Sequence, residues 1–126
     1  MILIDYKDSR PIYEQVVDKF RLLILNGVLK DDEKMPSVRT LAMELSINPN
    51  TIQRAYGELE RQGYIYTVKG RGNFVSEVTK LKQDYRQEVF IRLDDVCDTA
   101  FKAGITGSEL TDHIREREEK RGDEGR

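Results

Sequence analysis

The chain contains few of the residues that build disulfides or metal sites, and it has no long apolar run. Its 126 residues include one cysteine, Cys97, and one histidine, His113. A single cysteine cannot form an internal disulfide, which fits the reducing cytoplasm. No apolar run approaches the roughly 20 residues that cross a bilayer, and the N-terminus lacks the basic and apolar regions of a signal peptide. We therefore expect a cytoplasmic protein with no membrane partner.

The few reactive side chains do not form a catalytic group. His113 is flanked at helical spacing by Glu109 and Arg117, which is typical of a solvated, salt-bridged helix face. Cys97 lies on an apolar stripe with no histidine near it in sequence, so packing is its expected role. The stretch 70–72 lacks the third glycine of a dinucleotide-binding loop. The sequence predicts no enzyme, no cofactor and no metal site.

The charge of the chain is balanced. Residues 1–78 hold eleven Lys and Arg against eleven Asp and Glu, and residues 79–126 hold ten against twelve. A protein that coats DNA without regard to sequence would be strongly basic. Any contact with nucleic acid must therefore depend on a local basic patch.

Residues 35–75 have the pattern of two short helices followed by a hairpin. Ser37 can cap the first helix, and Asn48 before Pro49 can start the second, which Gly63 ends. The apolar positions of both helices fall at helical spacing: Val38, Leu41, Ala42, Leu45, Ile52, Ala55, Tyr56 and Leu59.

The first turns of the second helix carry hydrogen-bonding side chains on the opposite face, namely Asn50, Thr51, Gln53 and Arg54. In helix-turn-helix proteins these turns reach base edges in the major groove. Gln suits adenine and Thr can meet a thymine methyl, while Arg can reach either guanine or a phosphate. This pattern favours binding to double-stranded DNA.

Two short strands are expected at 64–68 and 73–76, around a basic tip. Gly70 and Gly72 allow a hairpin turn and a close approach of backbone to a sugar-phosphate chain, and Lys69 and Arg71 add positive charge. Together with the helices, this hairpin predicts a mainly α fold with a small β wing, a winged helix-turn-helix.

The sequence resembles the GntR-type bacterial transcription regulators, and within them the short YtrA-like branch. The resemblance rests on PSVRTLA at 36–42, NPNTIQRAY at 48–56, LERQGYI at 59–65 and GRGNFV at 70–75, with SRPIYEQV at 9–16. It implies a homodimeric repressor that binds an inverted-repeat operator. The residues expected to contact DNA are Ser37, Arg39, Asn50, Thr51, Gln53, Arg54, Lys69, Gly70, Arg71 and Gly72.

Ahead of this motif, the apolar spacing predicts a helix from about Pro11 to Asn26, capped by Ser9. The charged segment 30–34 is expected to be a solvated loop.

The tail, residues 79–126, is expected to be a helical hairpin. One long amphipathic helix should reach about Ala103, and Gly104 should end it. Thr106 and Glu109 have capping-box spacing and should open a second helix. The apolar stripe of the long helix must pack on something, and an identical hairpin is the simplest partner. The residues expected at the dimer interface are Leu81, Tyr85, Val89, Leu93, Val96, Ala100 and Phe101.

Three alternatives stay open. The hairpin could fold back on its own winged domain, residues 1–78. The winged domain could serve protein assembly, with the tail as the binding helix. The protein could also sense a small molecule or redox state, with the tail or Cys97 as the switch. About fifty tail residues are too few to enclose an effector, so a ligand of unknown identity would lie between subunits or between tail and winged domain.

Overall fold

The computed structural model describes residues 2 and 4–124, and residues 1, 3, 125 and 126 lie outside that description. Its contacts divide the chain into two compact units, Met1–Asp84 and Tyr85–Arg126. The sequence-based division into residues 1–78 and 79–126 stays a prediction, because it concerns which part of the chain folds and acts independently.

The first unit contains three helices, α1 (Ile12–Leu25), α2 (Val38–Leu45) and α3 (Pro49–Arg61). Both α1 and α2 pack on α3, whose inner face carries Ile52, Ala55, Tyr56 and Leu59. The ring of Phe20 on α1 meets the ring of Tyr56 edge to face at 5.8 Å between centroids, and both side chains are buried. Burial of these rings contributes to the hydrophobic stabilisation of the core and packs α3 against α1.

The start of α1 differs from the prediction. Ser9 does not cap it: Pro11 occupies the N-cap position, with no side-chain capping bond. Ser9 lies two residues before that position, too far to reach the free amides of the first turn. The residues that precede α1 are instead held by the buried Gln15 of α1. Its side chain forms two hydrogen bonds of 3.0 Å with the backbone of Asp5.

The wing is an antiparallel pair of strands, β1 (Ile65–Val68) and β2 (Gly72–Val75), with Ile65 opposite Val75 and Val68 opposite Gly72. The predicted loop at 30–34 is confirmed, since its five residues are exposed and lie outside the helices and named strands, but part of its backbone pairs with β2. Asp32 N–H donates to the Val75 carbonyl at 2.7 Å, and Val75 N–H donates to the Glu33 carbonyl at 2.9 Å. These bonds pair backbone N–H and C=O groups on the outer side of β2, which would otherwise be a free sheet edge.

The second unit contains most of α4 (Thr79–Lys102) and all of α5 (Gly107–Glu124). The predicted long helix, the break at Gly104 and the capping box are confirmed. Gly104 has a φ of +83°, and Thr106 and Glu109 exchange two hydrogen bonds, of 2.8 and 3.1 Å, between side chain and backbone. Among the described residues, no helix is both long and apolar enough to cross a membrane.

Candidate nucleic-acid interface

The N-terminus of α2 is fixed by its own side chains. Ser37 Oγ accepts the backbone N–H of Thr40 at 3.0 Å, as the sequence predicts for a cap. The Ser37 hydroxyl also contacts the Thr40 hydroxyl at 2.8 Å, at the position where a capping box would carry Glu or Gln. Arg39 lies in the same first turn and is exposed. The cap therefore fixes the backbone position from which the Arg39 side chain extends.

A tight turn joins α2 to α3. Ser46 adopts a left-handed conformation at φ 54° and ψ 46°, and Ile47 N–H returns to the Ala42 carbonyl at 3.0 Å. Asn48 then caps α3 by accepting the backbone N–H of Asn50 at 2.8 Å, and Pro49 stands at the first helical position. The turn therefore sets the angle between the two helices with few residues.

The outer face of α3 is available to a partner. Asn50, Gln53 and Arg54 are exposed and Thr51 is half-buried, whereas the inner face is buried. Tyr56 anchors this orientation, because its hydroxyl donates to the Pro36 carbonyl at 2.7 Å and burial raises the pKa of that hydroxyl. The helix therefore presents the predicted polar residues outward on a rigid base.

Arg54 differs from its neighbours on this face, because its guanidinium stacks on a ring of another helix. The guanidinium carbon lies 3.8 Å from the centroid of the Tyr13 ring on α1. This distance lies well within the range of a cation–π contact. The sequence motif predicted that Arg54 is exposed on α3 but gave no sign of the contact with Tyr13.

The wing tip is a turn over residues 69–71. Arg71 N–H donates to the Val68 carbonyl at 2.9 Å, and Gly70 and Gly72 have φ values of +79° and +114°. Glycine adopts such values without the strain that a Cβ would cause. Across the wing described here, the side chains of Lys69 and Arg71 form no ion pair and are exposed. The hairpin thus places two cations and two glycines with positive φ at its end.

Lys34 also lies at the wing, a place that the sequence did not predict for it. Its backbone pairs with Phe74 of β2, and its Cε lies 3.3 Å from the position that a Cβ on Gly72 would occupy. The exposed lysine therefore runs along the base of the wing tip. The segment that carries it is too short for a strand periodicity, so the only sequence signal was a cation just before the helix-turn-helix motif.

The predicted interface residues of the tail fall into two groups. Val89, Leu93, Val96 and Phe101 are exposed on α4, with exposed fractions of 59% for Val96 and 54% for Phe101. Ala100 is buried, and Leu81 and Tyr85 are half-buried. Within the second unit, an open groove of about 400 Å³ runs between α4 and α5 and is lined by residues that include Val96, Ala100 and Leu110. Among the described residues, the tail therefore carries a broad exposed apolar surface on α4.

Three helices, a tight turn and a paired hairpin in this order define a winged helix-turn-helix domain. The family model described as bacterial regulatory proteins, gntR family, matches residues 12–75. The chain belongs to the GntR family and is a DNA-binding transcriptional regulator, not an enzyme. This confirms the predicted family, fold class and general function.

Individual relatives agree with this assignment. The chain is 41% identical over 118 residues to the HTH-type transcriptional repressor YtrA of Bacillus subtilis, covering 92% of this chain and 91% of that protein. A GntR family transcriptional regulator from Listeria monocytogenes has a similar structure, with a TM-score of 0.73 at 34% identity over 86% of this chain and 96% of that one. The DNA-binding domain of AraR in complex with operator ORE1 matches with a TM-score of 0.52 at 30% identity, over 60% of this chain and 93% of that one.

Proposed function

We propose that this chain is a cytoplasmic, homodimeric repressor that binds an inverted-repeat DNA operator, with α3 in the major groove and the wing against the backbone. The observation that carries the proposal is the two-sided character of α3. Its inner face is buried, while Asn50 and Gln53 are exposed in its first two turns. A rigid helix with amide side chains at this end suits the reading of base edges.

In this proposal the remaining site residues divide by type of contact. Asn50, Thr51 and Gln53 read bases. Arg39, Lys69 and Arg71 neutralise phosphates, together with Lys34 beside the wing tip. Gly70 and Gly72 let the wing backbone approach the sugar-phosphate chain, and Ser37 contributes by fixing the first turn of α2, from which Arg39 extends.

The tail provides the second half of the proposal. The exposed stripe on α4 is wide and apolar, and exposed patches of this kind mark interaction sites. A second copy of the same hairpin would cover the stripe with an isologous, two-fold interface. Two-fold symmetry in the protein would then match an inverted repeat in the operator. The relative YtrA, similar over nearly its whole length, bears the name of a repressor, which supports repression over activation of transcription.

The test is a footprint of the purified protein on the DNA immediately upstream of its own coding region. We expect two protected half-sites of inverted sequence, with centres about 10 base pairs or a multiple of that distance apart. Uniform weak protection at all sequences, or no protection, would contradict binding to an inverted-repeat operator at this place. Alkylation of Cys97 that leaves the footprint unchanged would remove the redox-sensor alternative.

A further inference from the structure

Arg54 is the one residue of the proposed α3 surface whose side chain is stacked on another helix. Its guanidinium lies over the half-buried Tyr13 ring, 3.8 Å from the ring centroid. A cation–π contact uses the flat face of the guanidinium, so the N–H groups around its edge stay available. Tyr13 stands near the start of α1, and α1 is packed on α3 through Phe20 and Tyr56. The ring therefore holds the guanidinium from a fixed base.

Glu58, one turn along α3, attracts this guanidinium electrostatically but forms no hydrogen bond or ion pair with it. The carboxylate of Glu58 accepts hydrogen bonds from Arg61 and Gln62, including one of 2.9 Å from Arg61 Nε and one of 2.7 Å from Gln62 Nε2. Within residues 4–124, the Arg54 side chain makes no hydrogen bond or ion pair. A charged group with five N–H donors is therefore oriented by Tyr13 while its hydrogen-bonding capacity is unused.

We propose that Tyr13 is a positioning residue that holds Arg54 ready for a phosphate of the DNA backbone. The inference deepens the proposed function and rests on it. Arginine is the side chain best suited to bidentate binding of phosphate, and orienting it beforehand reduces the side-chain entropy lost on binding. The stack against α1 turns the guanidinium to the flank of α3, so Arg54 contacts the backbone and does not read guanine.

The test measures the affinities of four variants for a selected operator duplex and for a scrambled duplex: Tyr13→Leu, Tyr13→Phe, Arg54→Ala and the double variant Tyr13→Leu/Arg54→Ala. Tyr13→Leu should weaken binding to both duplexes about two- to fivefold, the worth of an exposed cation–π contact. Tyr13→Phe keeps the ring and should match the parent. Arg54→Ala should weaken binding to both duplexes, and adding Tyr13→Leu to it should have no further effect. Circular dichroism of each variant verifies that its fold is intact.

Several outcomes would overturn the inference. Unchanged affinity in Tyr13→Leu would show that the ring does not position Arg54. If Tyr13→Leu weakens DNA binding as much in the Arg54→Ala protein as in the parent, Tyr13 does not act through Arg54 and affects only the fold. A loss confined to the operator duplex would assign Arg54 to a base. If the parent binds neither duplex, the proposed function fails and this inference fails with it, whereas in the other three outcomes the parent still binds.

Discussion

Replacing Gly57 with alanine should raise the free energy of unfolding by about 0.5–1 kcal/mol. Gly57 lies inside α3 and is exposed, and an added Cβ would meet no heavy atom within 4 Å. Glycine loses more backbone freedom than alanine when a helix forms, so the new methyl group removes an entropic penalty without a steric one.

Gly70→Ala is the matched control, because the two sites differ in backbone conformation. A Cβ on Gly70 would also enter open space, but its φ is +79°, which an L-residue adopts with strain. Alanine there should lower the free energy of unfolding by about 1–2 kcal/mol. A Cβ meets open space at both positions, so the opposite signs of the two changes in the free energy of unfolding would come from the difference in φ.

Urea denaturation of the parent and both variants measures the two differences. All three proteins must be compared at one concentration, because association stabilises a folded chain by mass action. If Gly57→Ala is less stable than the parent, the position of Gly57 on an open helix face is wrong. If Gly70→Ala is as stable as the parent, the conformation of the wing tip is wrong.

Three further predictions concern the tail, the acid stability and the wing. Leu93→Asp should give a monomer in sedimentation at micromolar concentration, because an apolar interface does not tolerate an unpaired carboxylate. The control Gln87→Asp lies on the opposite side of α4 from Leu93 and Val96 and should stay dimeric. A monomeric parent protein would refute dimerisation. Hydrogen bonds from Arg61 and Gln62 lower the pKa of Glu58 from 4.5 to about 2, so the stability that its charge contributes is present above pH 4.5 and lost as the pH falls toward 2. Glu58→Gln should reduce the pH dependence of the free energy of unfolding between pH 4.5 and 2. Identical plots of that free energy against pH for variant and parent would contradict this. Lys34→Gln should lower the salt dependence of DNA binding by about one counterion per subunit while Lys34→Arg preserves it, and an unchanged slope in Lys34→Gln would exclude a phosphate contact.

Local signals in the sequence were enough to predict most of the fold. The Ser37 and Asn48 caps, the break at Gly104 and the capping box at Thr106 are each determined within a few residues of chain. The sequence therefore predicted the helices and the wing, and their order led to the correct family.

The contacts that were missed join residues far apart in the chain. Tyr13 meets Arg54 only because α1 packs on α3, and Lys34 reaches Gly72 only because its segment pairs with β2. No periodicity or motif encodes either contact. The same explanation holds for Gln15, which is buried by the N-terminal segment that it binds and not by its own helix pattern.

The most direct test of the account measures Gln53→Ala and Arg71→Ala on a duplex selected from a random pool and on its scrambled control, across a salt series. Gln53→Ala should cost about 1–3 kcal/mol on the selected duplex and relax the preference at one position per half-site. Arg71→Ala should weaken binding to both duplexes alike and reduce the salt slope by about one counterion per subunit. If both variants match the parent on both duplexes at every salt concentration, α3 and the wing do not form the DNA interface, and the proposed site is wrong.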